Sequence, residues 1–220
     1  MRRTSAAPTS DSLPFLPLFI DLRKKPCLVV GAGSIAAAKL ASLIQCGAQV
    51  QVVSPRAVRQ ITDRASAGAI TWHQRPFLPA DVRGKLLVIA ATGSARTNQA
   101  VFRACMKQGV LCNSVDDPRH CGFFFPAVVR RGPLQIAIST GGRSPSLAAR
   151  LKRELEIQFG REWSRWVEHL GKQRQAILAQ EPSSPTRRRR LQQLATPQAF
   201  RAFLHAAKRR PNAAAITKDR

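Results

Sequence analysis

The 220-residue chain is short of acid: 12 Asp and Glu stand against 36 Lys and Arg, a formal net charge of +24. It has no apolar run near the roughly 18–20 residues that a membrane-spanning helix needs, so no membrane partner is expected. Its first residues, MRRTSAAPTSDS, carry an arginine pair with no apolar segment behind it, which argues against a secretory signal and reads as a disordered leader. Its cysteines (Cys27, Cys46, Cys105, Cys112 and Cys121) form no C-x-x-C pair and are odd in number. Neither a zinc site nor a disulfide framework is therefore expected, and they read as reduced thiols of a cytoplasmic protein.

What is present is an alternation of two periods. Cys27 to Val30 is a short continuous apolar run, as a strand buried on both faces should be. Gly31-Ala-Gly33 follows, then an Ala- and Leu-rich helix from about Ser34 to Gln45, stopped by Gly47, and a second strand from Val50 to Val53. AITWHQRPF reads as a third strand and loop, and KLLVIAAT (85–92) as a fourth strand. SARTNQAVFRACMKQG reads as a helix capped by Ser94 and stopped by Gly109, and VLCNSV as the next strand. Strands alternating with helices predict an α/β fold with an open, mostly parallel sheet. After Pro118 the pattern changes to two strands around a turn at Arg131-Gly132-Pro133. A helix capped by Ser144, with Pro145 in its first turn and Gly160 at its end, comes next, and helical patterns dominate from Arg161.

The glycine loop is Gly31-x-Gly33-x-x-Ala36, the G-x-G-x-x-G/A form. Gly31 allows a tight turn after the strand, Gly33 lets a pyrophosphate approach the backbone, and Ala36 lets helix and strand pack closely. The helix N-terminus offers free N–H groups and a positive dipole end to the phosphates. The acidic residue that usually ends the second strand is missing; Ser54-Pro55-Arg56 stands there instead. Ser54 could bond a ribose hydroxyl and Arg56 could meet a 2′-phosphate, so these residues leave NAD or NADP open. Gly31, Gly33, Ser34, Ile35, Ser54, Pro55, Arg56 and Thr92 make up the candidate cofactor set.

Such a basic chain calls for a nucleic acid, an anionic surface or a small polyanion as partner. The Arg187 to Arg190 run follows prolines and has no interleaved aromatics. It reads as a solvated linker or tail, and no specific nucleic-acid partner is expected. Against this basic background Asp116 and Asp117 stand side by side in CNSVDDPRHCGFFFP, just past a predicted strand. Ligands of open α/β sheets bind at that end of the strands. The alternative for Asp-Asp-Pro is an Asx turn with no chemistry.

LPLFIDL, the glycine-loop segment, LLVIAAT and VDDP…FFFPAVVRRGPLQIAISTGGRSPSLAARLKRELE together resemble the precorrin-2 dehydrogenase / sirohydrochlorin ferrochelatase family, the N-terminal module of siroheme synthases, from about Leu13 to Phe159 and more loosely to 207. The resemblance implies NAD-dependent dehydrogenation of precorrin-2 to sirohydrochlorin, followed in many members by Fe2+ insertion to give siroheme. It places the family's essential aspartate at Asp116, as general base, with Fe2+ bound transiently near it and no fixed metal. It implies substrate contacts at Asn113, Thr140, Gly141, Gly142 and Arg143, and lets Arg130, Arg131 and Arg143 meet the carboxylates of the tetrapyrrole. It gives His120 no matched role, and His120 and Cys121 read as loop residues, while Phe123-Phe124-Phe125 read as core or subunit interface rather than a substrate-stacking surface. A homodimer is implied, with an active site where the dinucleotide domain, the dimerisation segment and the helical domain meet.

The resulting organisation is a leader (1–12), a Rossmann-type NAD-binding domain (13–112), a dimerisation and active-site segment (113–143), a helical C-terminal domain (144–207) and a basic tail (208–220). Two other readings stand beside it: a dehydrogenase without chelatase activity, and a dinucleotide-sensing module without chemistry.

Overall fold

The computed structural model of the chain describes residues 15–208. The expected leader, and the expected tail beyond Lys208, lie outside the described residues. The chain divides into two compact units, one ending at Phe125 and one beginning at Pro126.

The first unit is built on a five-stranded sheet of order β3-β2-β1-β4-β5. Its strands are β1 (Pro26–Val30), β2 (Gln49–Val53), β3 (Thr71–His73), β4 (Leu87–Ala90) and β5 (Leu111–Ser114), and all neighbours pair in parallel. The doubly wound sheet expected from the alternation is present. Side chains of β1 alternate between two cores, as strand geometry requires. Cys27 and Val29 pack with Ala36, Ala37, Leu40 and Leu43 of α1 (Ser34–Gln45). Leu28 and Val30 pack on the other face with Val101 and Cys105 of α3 (Ala95–Gln108). Each fully buried Leu, Ile or Val contributes about 1.5–3 kcal/mol, so the two clusters fix the sheet from both sides.

Helix ends follow the sequence signals. The Ser94 hydroxyl accepts the Thr97 N–H at 3.2 Å, and Gly109, with φ +64°, ends α3. One helix was not anticipated: α2 (Arg59–Ser66) buries Ile61 alone, so it has no apolar stripe to read.

The second unit opens with an antiparallel hairpin of β6 (Ala127–Arg131) and β7 (Leu134–Ile138), turning at Gly132-Pro133. Four helices follow: α4 (Pro145–Gln158), α5 (Glu162–Gln180), α6 (Ser184–Leu194) and α7 (Pro197–Lys208). Trp163 and Trp166 of α5 meet the Phe200 ring at 4.7 and 5.5 Å between centroids, and Trp166 meets Phe203 at 5.1 Å. This aromatic seam joins α5 to α7. Arg187 to Arg190 lie within α6 and so form neither a linker nor a tail; Pro185 occupies its first turn, where a missing N–H costs nothing. Among the described residues no helix is long and apolar enough to cross a membrane. All five cysteines are free.

Candidate functional site

The C-terminal ends of β1 and β2 and the turn after β4 surround a cavity of about 540 Å³. Gly31, Gly33, Ser54, Pro55, Arg56 and Thr92 of the candidate cofactor set all line it, together with Pro76, Phe77 and Gly93. Ser34 and Ile35 stand exposed in the first turn of α1 and do not line it, so only their backbone N–H groups face that end.

Gly31 has φ +102° and its N–H donates to Val53 O at 2.9 Å. A Cβ there would run into the Ala91 carbonyl, so the turn passes too close to the β4 backbone for any other residue. Gly33 differs: a Cβ there would meet nothing within 4 Å, and the position opens on the cavity. The space is what a pyrophosphate would fill. The N-terminus of α1 has no side-chain cap and no acid in its first turn, so its N–H groups are left for an anion. The residues present therefore fit a dinucleotide.

The far wall depends on a residue that sequence reasoning missed. Asn98, buried on α3, accepts the Thr92 N–H at 3.1 Å and donates its amide to Thr92 O at 3.1 Å. It also accepts the Thr92 hydroxyl at 2.7 Å. An Asn one turn into a helix has no sequence signal of its own; its meaning lies in facing the end of β4.

On the adjoining wall, the Arg75 guanidinium holds the Asp81 carboxylate in a bidentate pair at 2.9 and 2.7 Å, and Asp81 also accepts the Leu78 N–H at 2.9 Å. The hydrogen bonds from Arg75 hold the Asp81 carboxyl below its ordinary range. The clamp fixes the loop that carries Pro76 and Phe77.

Asp116 lies two residues beyond β5, on the same C-terminal edge of the sheet. Its φ is +61°, and its turn is closed by the Asp117 N–H donating to Ser114 O at 3.3 Å. A left-handed backbone is uncommon for a residue with a Cβ, though Asp tolerates it. The turn presents the Asp116 side chain to solvent. Asp117 instead pairs with His120 Nδ1 at 2.5 Å, and that hydrogen bond holds its carboxyl below the usual value. The His120 ring packs edge-on against Phe102 at 4.7 Å. The two adjacent carboxylates thus have different surroundings: one is tied to the loop and the other is open.

The loop is pinned from beneath. Buried Asn113 donates its amide to Phe123 O at 2.9 Å and to Cys121 Sγ at 3.4 Å. The Cys121 thiol donates within reach of Ser114 O at 3.2 Å, and burial pushes its pKa up. The half-buried Lys39 ammonium, on α1, feels the charge of Asp116 and stands over the Phe125 ring. Lys39 had no sequence signal, because a lysine between helix turns reads as surface. Among the described residues no three His, Cys, Asp or Glu side chains are grouped to hold a metal ion.

In the second unit, Thr140 to Arg143 lead into α4. Gly141 and Gly142 have φ +61° and +78°, the Thr140 hydroxyl accepts the Ser144 N–H at 3.1 Å, and Ser144 caps the helix through Leu147 N–H at 3.2 Å. Gly141, Gly142 and Arg143 are exposed. Arg131 departs from expectation. Its guanidinium donates to Phe159 O at 2.6 Å, Glu156 O at 2.9 Å and Arg130 O at 2.9 Å. It closes the C-terminus of α4, and those donors are not available to a substrate carboxylate.

Comparisons with known proteins agree with this architecture. The NAD(P)-binding family model matches residues 18–127, half the chain and the whole cavity, and the "Sirohaem biosynthesis protein central" model matches residues 131–158. Siroheme synthase 1 of Pectobacterium atrosepticum is 40% identical over 175 residues, 80% of this chain and 36% of that protein. Siroheme synthase of Nitrosococcus oceani is 38% identical over 165 residues, 75% of this chain and 35% of that protein. The chain thus spans about a third of the length of these curated relatives. The solved structure of SirC, a precorrin-2 dehydrogenase, is similar with a TM-score of 0.74 at 25% identity, over 89% of this chain and 100% of that one. With a glycine-loop cavity that fits a dinucleotide and both family models in sequence along it, the chain belongs to the precorrin-2 dehydrogenase / sirohydrochlorin ferrochelatase family and carries its NAD(P)-binding module.

Proposed function

We propose that this protein oxidises precorrin-2 to sirohydrochlorin with NAD+ as acceptor, and that Asp116 is the base. The observation that carries the reading is the placement of a solvent-open carboxylate on the same sheet edge as a cavity that fits a dinucleotide. NAD+ supplies the hydride acceptor. Loss of two electrons and two protons from the substrate must leave as one hydride and one proton, so a group is needed to take the proton. A positioned carboxylate contributes typically ~10²–10⁴-fold in that role. The backbone N–H groups at α1 and the space at Gly33 hold the pyrophosphate; Thr92, fixed by Asn98, bounds the cavity at the end of β4. The exposed Arg143 and the Thr140–Gly142 backbone are the proposed contacts to substrate carboxylates, and Asn113 supports the Asp116 turn rather than reaching outward.

The name siroheme synthase borne by the relatives favours a second step, Fe2+ insertion into sirohydrochlorin, in which the same carboxylate removes pyrrole protons. A homodimer in the cytoplasm belongs to the same proposal. The test is anaerobic incubation with precorrin-2 and NAD+, followed by absorbance of NADH and of the tetrapyrrole, with Fe2+ added afterwards. NADH formation that Asp116→Ala abolishes supports the reading. Nucleotide binding without NADH formation would favour a dinucleotide-sensing module instead.

A further inference from the structure

The cavity at the ends of β1 and β2 has one charged side chain among its lining residues, Arg56, and no Asp or Glu. The loop that carries Arg56 is fixed at four points. The Ser54 N–H donates to His73 O at 3.2 Å, and the Val58 N–H donates to Ala32 O at 3.0 Å in the glycine loop. The Trp72 indole N–H donates to Ser54 O at 3.1 Å, and the Ser54 hydroxyl donates to Arg56 O at 2.8 Å. That hydroxyl has given its hydrogen to the backbone and is no donor to a ligand. The other arginines nearby are occupied: Arg59 pairs with Asp63 at 3.6 Å and Arg75 with Asp81 at 2.7 Å. Arg56 is exposed and has no such partner among the described residues.

In dinucleotide-binding sheets the end of the second strand meets the adenosine ribose. A carboxylate there bonds the 2′-hydroxyl and repels a 2′-phosphate, whereas an arginine accommodates that phosphate. We infer that this site accepts NADP+ as well as NAD+, and that Arg56 is the residue that admits the 2′-phosphate. The inference rests on the dinucleotide reading of the cavity. A guanidinium suits a phosphate because its N–H groups form a planar fork that bonds two oxygens at once. Holding the loop at Ser54 and Val58 spares the ligand most of the cost of ordering it.

The experiment is calorimetric titration of the full chain with NAD+, NADP+ and the fragments 5′-AMP and 2′,5′-ADP, each at low and high salt. The wild type is expected to bind NADP+ within about tenfold of NAD+ or tighter, with the 2′-phosphate contribution fading as salt screens it. Arg56→Ala should weaken NADP+ about tenfold more than NAD+, the loss of one charge-assisted contact at an exposed position. Arg56→Lys should recover part of that loss, and a native circular dichroism spectrum for both variants excludes misfolding as the cause. NADP+ binding more than about tenfold weaker than NAD+ to the wild type, or an equal effect of Arg56→Ala on both, overturns the inference and leaves the dinucleotide site standing. Failure of both nucleotides to bind removes the parent reading, and this one with it.

Discussion

The Lys39 ammonium sits 4.2 Å from the centroid of the Phe125 ring. Burial holds its pKa below the ordinary lysine value, while the charge of Asp116 acts the other way. A half-buried ammonium opposite the proposed base is costly to keep in a folded chain. Lys39→Met should therefore leave the melting temperature unchanged or higher, while lowering turnover of precorrin-2 about tenfold, the usual exchange of activity for stability at a site. Thermal denaturation and steady-state NADH formation on the same preparation check it. A lower melting temperature with normal turnover would contradict it.

Gly31 and Gly33, two residues apart in the glycine loop, should respond differently to the same substitution. Gly31→Ala places a methyl group against the Ala91 carbonyl at a backbone φ of +102°, and should destabilise the fold by about 1–3 kcal/mol or more. Gly33→Ala meets no protein atom within 4 Å. It should fold normally and lose NAD+ affinity, because the methyl fills the space the phosphates need. Urea unfolding and nucleotide titration of both variants separate the two effects.

The Arg75–Asp81 clamp gives a pH prediction. The Asp81 carboxyl is depressed in the folded state by hydrogen bonds from Arg75. Its contribution is thus fully present above the unfolded carboxylate value of about 3.9, and is lost as pH falls through the folded value. Asp81→Asn should cost about 1–3 kcal/mol near neutrality, and the difference from wild type should shrink as pH is lowered below about 4. Urea unfolding across pH 3 to 7 reads this directly. A difference independent of pH would assign the loss to packing alone.

Arg131 is expected to matter for stability and not for substrate. Two of its donors close the carbonyl end of α4, at Phe159 O and Glu156 O, and a third bonds Arg130 O on β6. Arg131→Ala should lower stability by about 1–3 kcal/mol through orphaned carbonyls, with the KM for precorrin-2 changed less than about twofold once the protein is folded. Chemical denaturation together with KM measurement tests both halves.

Much of the first unit could be read from the sequence because its signals are local. The β1–α1–β2 unit shows as an apolar run, a glycine loop and an Ala–Leu stripe, and Ser94 caps the helix that it precedes, as Ser144 does in the second unit. Elements with little burial gave no such signal: α2 buries Ile61 alone and α6 buries no residue, so the arginine run of α6 read as solvated chain. Asp116 was legible as chemistry, but its left-handed backbone and its separation from the His120-bound Asp117 were not. Lys39, Asn98 and Arg131 act through residues 6 to 77 or more positions away in sequence or through backbone atoms, which pattern reading does not reach.

The most direct test of the central claim is the stoichiometry of an anaerobic reaction with limiting precorrin-2 and excess NAD+, run with wild type, Asp116→Ala and Asp116→Asn. Asparagine keeps the tolerance of the +61° backbone and removes only the base. One NADH per sirohydrochlorin for the wild type is expected, with rates lower by ~10²–10⁴-fold in both variants and unchanged NAD+ affinity. Wild-type NADH formation that persists at full rate in Asp116→Asn would contradict the account.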